Sequence, residues 1–159
     1  MKYIVGIDLG GTNIKAGLVK ADTGEVVTST SIKTESEKGI EDTFSRIANL
    51  VETILKENGI EKSNVQGVGM GIPGPVMHQA VVGFFANFPW EKDVDAKALL
   101  EGKIGIPVKV DNDVNVIAAG EAWLGAAKGY KNVVCLALGT GVGGGIIING
   151  NLVDGFRGA

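Results

Sequence analysis

The placement of glycine constrains this chain more than any other feature. There are 25 glycines in 159 residues, about twice the ordinary share. They are gathered into clusters beside strand-like apolar runs: Gly10-Gly11, then Gly67, Gly69, Gly71 and Gly74, then Gly139, Gly141, Gly143, Gly144 and Gly145. A flexible linker would scatter its glycines. Glycines grouped at strand ends mark tight turns and places where backbone approaches another group closely, and a bound ligand is the expected neighbour.

The runs between the clusters give an order of elements. Tyr3–Leu9 is apolar enough for a buried strand. Gly10-Gly11-Thr12 turns the chain, Asn13–Lys20 returns as a second strand, and Glu25–Ile32 follows Asp22-Thr23-Gly24 as a third, in an antiparallel meander. Ile40, Phe44, Ile47, Leu50, Val51, Ile54 and Leu55 share one helical face, which Asn58-Gly59 terminates. Val65–Gly71 is a strand stopped by Ile72-Pro73-Gly74-Pro75. Val76–Trp90 is irregular or short β. Asp95 caps a short helix over Ala96–Leu100, Pro107–Val110 is a strand, and Val114–Ala127 is a helix. Val133–Leu138 and Gly145–Ile148 are two strands joined by a glycine-rich turn.

Four segments carry chemistry. In Asp8-Leu9-Gly10-Gly11-Thr12-Asn13-Ile14-Lys15 the two glycines let N–H groups of the turn point outward toward phosphate oxygens, and Thr12 adds a hydroxyl. Asp8, at the strand end, suits a water-mediated contact to Mg²⁺. A plain hairpin with a solvated Asp8 is the alternative. In Gly139-Thr140-Gly141-Val142-Gly143-Gly144-Gly145, the spacing of Gly139, Gly141 and Gly144 formally satisfies G-x-G-x-x-G. A dinucleotide fold needs a helix directly afterwards, whereas Ile146-Ile147-Ile148 is a strand. A hairpin presenting N–H groups and the Thr140 hydroxyl to phosphates fits better.

Asp111-Asn112-Asp113 stands where a strand passes into a helix. Asp113 can act as a general base, its ionised form favoured by the helix N-terminus, or it can simply cap the helix. Asn112 can read hydroxyls, and Asp111 can be structural. Asn87-Phe88-Pro89-Trp90 sets an amide beside aromatic rings, which suits a sugar's hydroxyl edges and apolar faces. Phe88 and Trp90 equally suit a packed loop. His78, the only histidine, reads as surface polar.

These segments resemble the ROK family of bacterial sugar kinases and sugar-responsive repressors. The likeness spans essentially the whole chain. It rests on Asp8-x-Gly-Gly-Thr12-x-x-Lys15, Gly71-Ile-Pro-Gly-Pro75, Asn87-Phe-Pro-Trp90, Asn112-Asp113 and Gly139-Thr-Gly-Val-Gly-Gly-Gly145. The resemblance implies an α/β fold, the ribonuclease-H-like domain of actin, heat-shock ATPases and sugar kinases, with a mixed sheet. Residues 1–118 would form that lobe and residues 119–159 the first strands of a second, incomplete one. It implies ATP and Mg²⁺, a hexose substrate, and a glucokinase-like activity. It implies Asp113 as the base, with Asn87, Asn112 and Asp113 on the sugar. The nucleotide would fall to Asp8, Gly10, Gly11, Thr12, Asn13, Lys15, Gly139, Thr140, Gly141 and Gly143.

Family members are about twice as long. Their further sugar-binding residues, zinc ligands and most of the adenine pocket belong to the part that this sequence does not contain. The chain is therefore expected to be an N-terminal fragment, inactive alone, without a zinc site and with a tendency to form homo-oligomers through unpartnered strands. A sugar-sensing regulator lacking its DNA-binding domain and a non-kinase actin-like ATPase are the alternatives. The net charge of -3 gives no nucleic-acid footprint. No run reaches the ~18 apolar residues of a membrane span, and the N-terminus lacks a signal-peptide pattern. With a lone thiol, Cys135, in an apolar run, a cytoplasmic location is expected.

Overall fold

The computed structural model describes residues 1–139, 141–156 and 158. The chain opens with three strands, β1 (Tyr3–Leu9), β2 (Asn13–Lys20) and β3 (Val26–Lys33), followed by helix α1 (Ile40–Glu57) and strand β4 (Val65–Ile72). Three two-residue strands come next: β5 (Val76–Met77), β6 (Val81–Val82) and β7 (Val94–Asp95). Then follow α2 (Ala96–Ile104), β8 (Val108–Asn112) and α3 (Asp113–Trp123). The chain ends in β9 (Val133–Leu138), β10 (Val142–Ile148) and β11 (Asn151–Leu152).

The main sheet has the order β3-β2-β1-β4-β8. Its first three strands pair antiparallel, and β1, β4 and β8 run parallel. It is the mixed sheet of the expected α/β fold. Strand alternation sends Val5, Ile7 and Leu9 of β1 into the core. Ile14, Ala16 and Leu18 of β2, Val68, Met70 and Ile72 of β4, and Val108 and Val110 of β8 join them. Helix α1 covers this face with Phe44, Ile47, Val51 and Ile54, each essentially inaccessible. Each such side chain contributes about 1.5–3 kcal/mol through burial. Helix α2 packs beside α1 and adds Leu100 and Ile104. Asp95 starts α2 by accepting the Ala98 N–H at 2.8 Å.

Helix α3 crosses the opposite face of the main sheet. A Cβ on Gly71 of β4 would meet Asp113 Cα at 3.4 Å and Val116 at 3.6 Å. The same helix supports a second sheet, ordered β11-β10-β9. Here the glycines of β10 serve packing: a Cβ on Gly145 would lie 2.7 Å from that of Ala118, and one on Gly143 would collide with Val114.

Three elements differ from expectation. Helix α3 stops at Trp123, short of Ala127, because the Glu121 carboxylate accepts the Ala126 N–H and the Ala127 N–H reaches back six residues to Glu121 O. Strand β10 begins at Val142 because Gly143, Gly144 and Gly145 pair with Ala137, Leu136 and Cys135. Helix α2 runs on to Ile104, where Gly105 closes it in the left-handed conformation.

Candidate active site

Elements from both sheets meet at one open cavity of about 410 Å³. The turn after β1 brings Asp8, Gly10 and Gly11. The loop after β4 brings Pro73 and Gly74. Asn87 comes from the loop after β6, Asn112 and Asp113 from the β8–α3 junction, and Gly139, Gly141 and Gly143 from the β9–β10 hairpin. Thr12, Asn13 and Lys15 stand outside this lining, on the far side of the first turn and along β2. Lys15 is the cross-strand partner of Asp8. Thr140 lies outside the described residues.

The first turn is tighter than the glycine pattern alone suggests. Gly10 N–H donates to Asn13 O at 3.1 Å, so this amide closes the turn and does not point outward as expected. Its carbonyl accepts from the buried Thr34 hydroxyl at 2.6 Å. A Cβ on Gly10 would lie 2.7 Å from Asn13 O. Gly10 shapes the turn, and the exposed Gly11 is the glycine left to offer its amide to a ligand. The second hairpin behaves alike: Gly139 N–H donates to Gly141 O at 2.9 Å.

At the β8–α3 junction the cap is Asn112, not Asp113. Its side-chain oxygen accepts the N–H groups of Val114 (2.9 Å) and Asn115 (3.4 Å) while its amide nitrogen donates to Gly74 O (3.0 Å). Asn112 holds the extended φ/ψ of an N-cap, so Asp113 is the first helical residue. Among the described residues, one amide hydrogen of Asn112 has no acceptor and is left for a ligand. Asp113 Oδ1 accepts the Val114 N–H at 2.9 Å.

Burial is the main cause that pushes the Asp113 carboxyl above the usual carboxylate range. The Val114 N–H works against it, and the nearby negative charge of Asp8 adds to it. The helix N-terminus was expected to favour the ionised form; desolvation outweighs it. A carboxylate whose proton affinity is raised this way is a better base than a solvated one.

The segment around Asn87 divides in two. Phe85, Phe88 and Trp90 pack edge-on and tilted, with ring centroids 4.3–6.2 Å apart, and Trp90 Nε1–H donates to Ser36 O at 3.0 Å. The rings are packing groups. They anchor a loop in which Asn87 takes the left-handed conformation (φ 68°) and lines the cavity. His78 is exposed in a turn away from the cavity. Asn115, on α3, was not singled out from sequence. It is buried and donates its amide to Asp111 Oδ1 at 3.0 Å. An asparagine four residues after an aspartate, inside an apolar helical run, was the available signal.

The family model for "ROK family" matches residues 4–159. The chain belongs to the ROK family. A glucokinase of Halalkalibacterium halodurans is 39% identical over 99% of this ROK chain and 47% of its own length. An N-acetyl-D-glucosamine kinase of Yersinia enterocolitica is 36% identical over 94% of this chain and 48% of its own. Among solved structures, a ROK family glucokinase from Streptomyces griseus in complex with glucose and AMPPNP gives a TM-score of 0.86 at 35% identity. It is matched over 99% of this chain and 48% of that one. This ROK chain thus spans about half the length of the relatives it matches.

Proposed function

We propose that this chain is the N-terminal portion of an ATP-dependent hexose kinase of glucokinase-like type, in two lobes divided near residue 118. The observation that carries the reading is a single cavity. It joins two glycine hairpins suited to phosphate with a half-buried carboxyl of raised proton affinity and two asparagine side chains.

The donor set fits a nucleotide-borne magnesium ion. Among the described residues no three His, Cys, Asp or Glu side chains form a metal cage. Magnesium in such sites needs only one or two carboxylates beside phosphate oxygens and water, and Asp8 lines the cavity next to Gly11. ATP supplies the transferable phosphoryl group, with Mg²⁺ offsetting its charge. Gly11 and the Gly139–Gly143 hairpin hold phosphate oxygens, with Thr12, Asn13, Lys15 and Thr140 as further contacts of that kind. Asn87 and the free amide hydrogen of Asn112 bind sugar hydroxyls. Asp113 accepts the proton of the attacking hydroxyl as its oxygen bonds to phosphorus and the bond to ADP breaks. The catalytic contribution of the chain is positioning and charge placement.

The test is hexose-dependent ADP release by the full-length gene product, run with glucose, mannose, fructose and N-acetylglucosamine. Asp113→Asn should abolish turnover and leave sugar binding largely intact. Turnover near the unsubstituted level removes Asp113 from the base role. ADP release that ignores every sugar favours a non-kinase ATPase, and sugar binding without turnover favours a sensor.

A further inference from the structure

We propose that Asn115, acting through Asp111, is a positioning residue that fixes where Asp113 stands in the cavity; the proposal rests on the kinase reading of that site. Three polar side chains are buried among the described residues: Thr34, Thr43 and Asn115. Thr34 ties down the first turn, and Thr43 bonds Gly39 O at the start of α1. Asn115 is 6% exposed, between Val114 and Ala118 on the packed side of α3. An apolar residue would serve packing there without the cost of burying an amide. What the amide adds is a bond to Asp111.

That bond closes a ring over the β8–α3 junction. Asp111 Oδ1 accepts two donors, the Asn112 N–H at 2.7 Å and Asn115 Nδ2 at 3.0 Å. The four-residue reach from helix back to strand spans Asn112 and Asp113. Asn112 is meanwhile tied to Gly74 O, and Asp113 Cα sits against Gly71. Asp113 is therefore held from β8, from β4 and from its own helix. Without Asn115, the Asp111 carboxylate keeps one donor of the two and the junction can turn. A shift of about 1 Å at a reacting group costs on the order of 100-fold in rate.

A double-mutant cycle gives the test. In the full-length gene product, Asn115→Ala should lower kcat about 10- to 100-fold while the hexose KM stays within about threefold. Asn115→Asp alone sets two carboxylates together and should do no better. Asp111→Ala and Asn115→Ala remove the two ends of one bond, so the double substitution should cost kcat no more than about threefold beyond the costlier single. An Asn115→Ala kcat within about twofold of the unsubstituted protein, or a double substitution whose loss is the product of the two single losses, overturns the proposal.

Hydrogen exchange separates this failure from failure of the kinase reading. In the 159-residue chain, Asn115→Ala should speed exchange at the Asn112 and Val114 amides by about tenfold and leave α1 unchanged. Unchanged exchange at the junction overturns the positioning role whether or not any hexose is phosphorylated. If Asn115→Ala does not fold, Asn115→Ser carries both measurements: faster exchange at the two amides with slowed turnover supports the clamp, and unchanged exchange overturns it.

Discussion

The main sheet and the β9–β10–β11 sheet solve the same packing problem to different degrees. The main sheet buries one face of its central strands under α1 and α2, where Val5, Leu18, Phe44, Ile47, Val51 and Val110 are inaccessible. The β9–β10–β11 sheet rests one face on α3 through Gly143 and Gly145, and its other face is bare. Leu138 is 82% exposed, Val142 77%, and Val134 and Leu136 each 69%. Both sheets contain strongly apolar strands, such as β1 and β9. The difference teaches that apolar alternation gives a strand its faces, whereas a core exists only where another element supplies the opposing layer. Asp113 stands at the seam, at the head of α3, which packs against both of these sheets.

Four substitutions probe that contrast. The largest effect should come from Phe44→Ala in the closed core, which costs about 3–5 kcal/mol and lowers Tm by roughly 10 °C. A loss below about 1 kcal/mol in chemical denaturation would show that the closed core is not what stabilises the chain. Gly145→Val comes next. Its side chain must enter the space of Ala118 and the Val114 carbonyl, at about 1–3 kcal/mol. Its signature is faster hydrogen exchange in β9 and β10 with β1 and β4 unaffected; uniform acceleration would mean the sheets unfold together.

Asp113→Asn acts at the seam through pH. Its raised pKa means that the folded chain holds this proton more tightly than the unfolded chain. The carboxyl is therefore a burden that appears as pH rises from the ordinary carboxylate range through the raised value. The substitution should raise Tm at neutral pH, and the gain should vanish below the ordinary range. A gain that persists in acid would point to a cause other than ionisation. The smallest effect belongs to Leu136→Ser on the bare face, within about 0.5 kcal/mol. It should also reduce any concentration dependence of light scattering. A large loss of stability would show that this face is covered in solution.

The sequence was most readable where periodicity and punctuation agree. Tyr3–Leu9, Asn13–Lys20 and Val133–Leu138 are strands to the residue, since each run is set off by glycine, charge or a polar turn residue. Helix α1 followed from its apolar stripe and the Asn58 stop. Legibility failed where one residue type serves two purposes. Gly143 and Gly144 read as turn or ligand contact, yet both pair as strand and Gly143 packs on a helix. Asn112 and Asp113 are both competent caps, and only backbone geometry assigns the cap to Asn112. The two-residue strands β5, β6 and β7 are too short to show a period.

The candidate site divides along the same line. Asp8, Gly11, Asn87, Asn112, Asp113, Gly139, Gly141 and Gly143 converge on one cavity from positions far apart in sequence. That convergence is a property of topology, and no local pattern encodes it. The buried amide of Asn115 was hidden because an isolated asparagine in an apolar helix reads as noise until its partner is seen.

The contact of Gly143 and Gly145 with Val114 and Ala118 has one more consequence. No flexible side chain lies between the β10 backbone and α3 there, so the joint has no slack. A tilt of the hairpin must be passed to the first turn of α3, where Asp113 is carried. The glycine strand and the carboxyl that face one another across the cavity are thus two ends of a single joint.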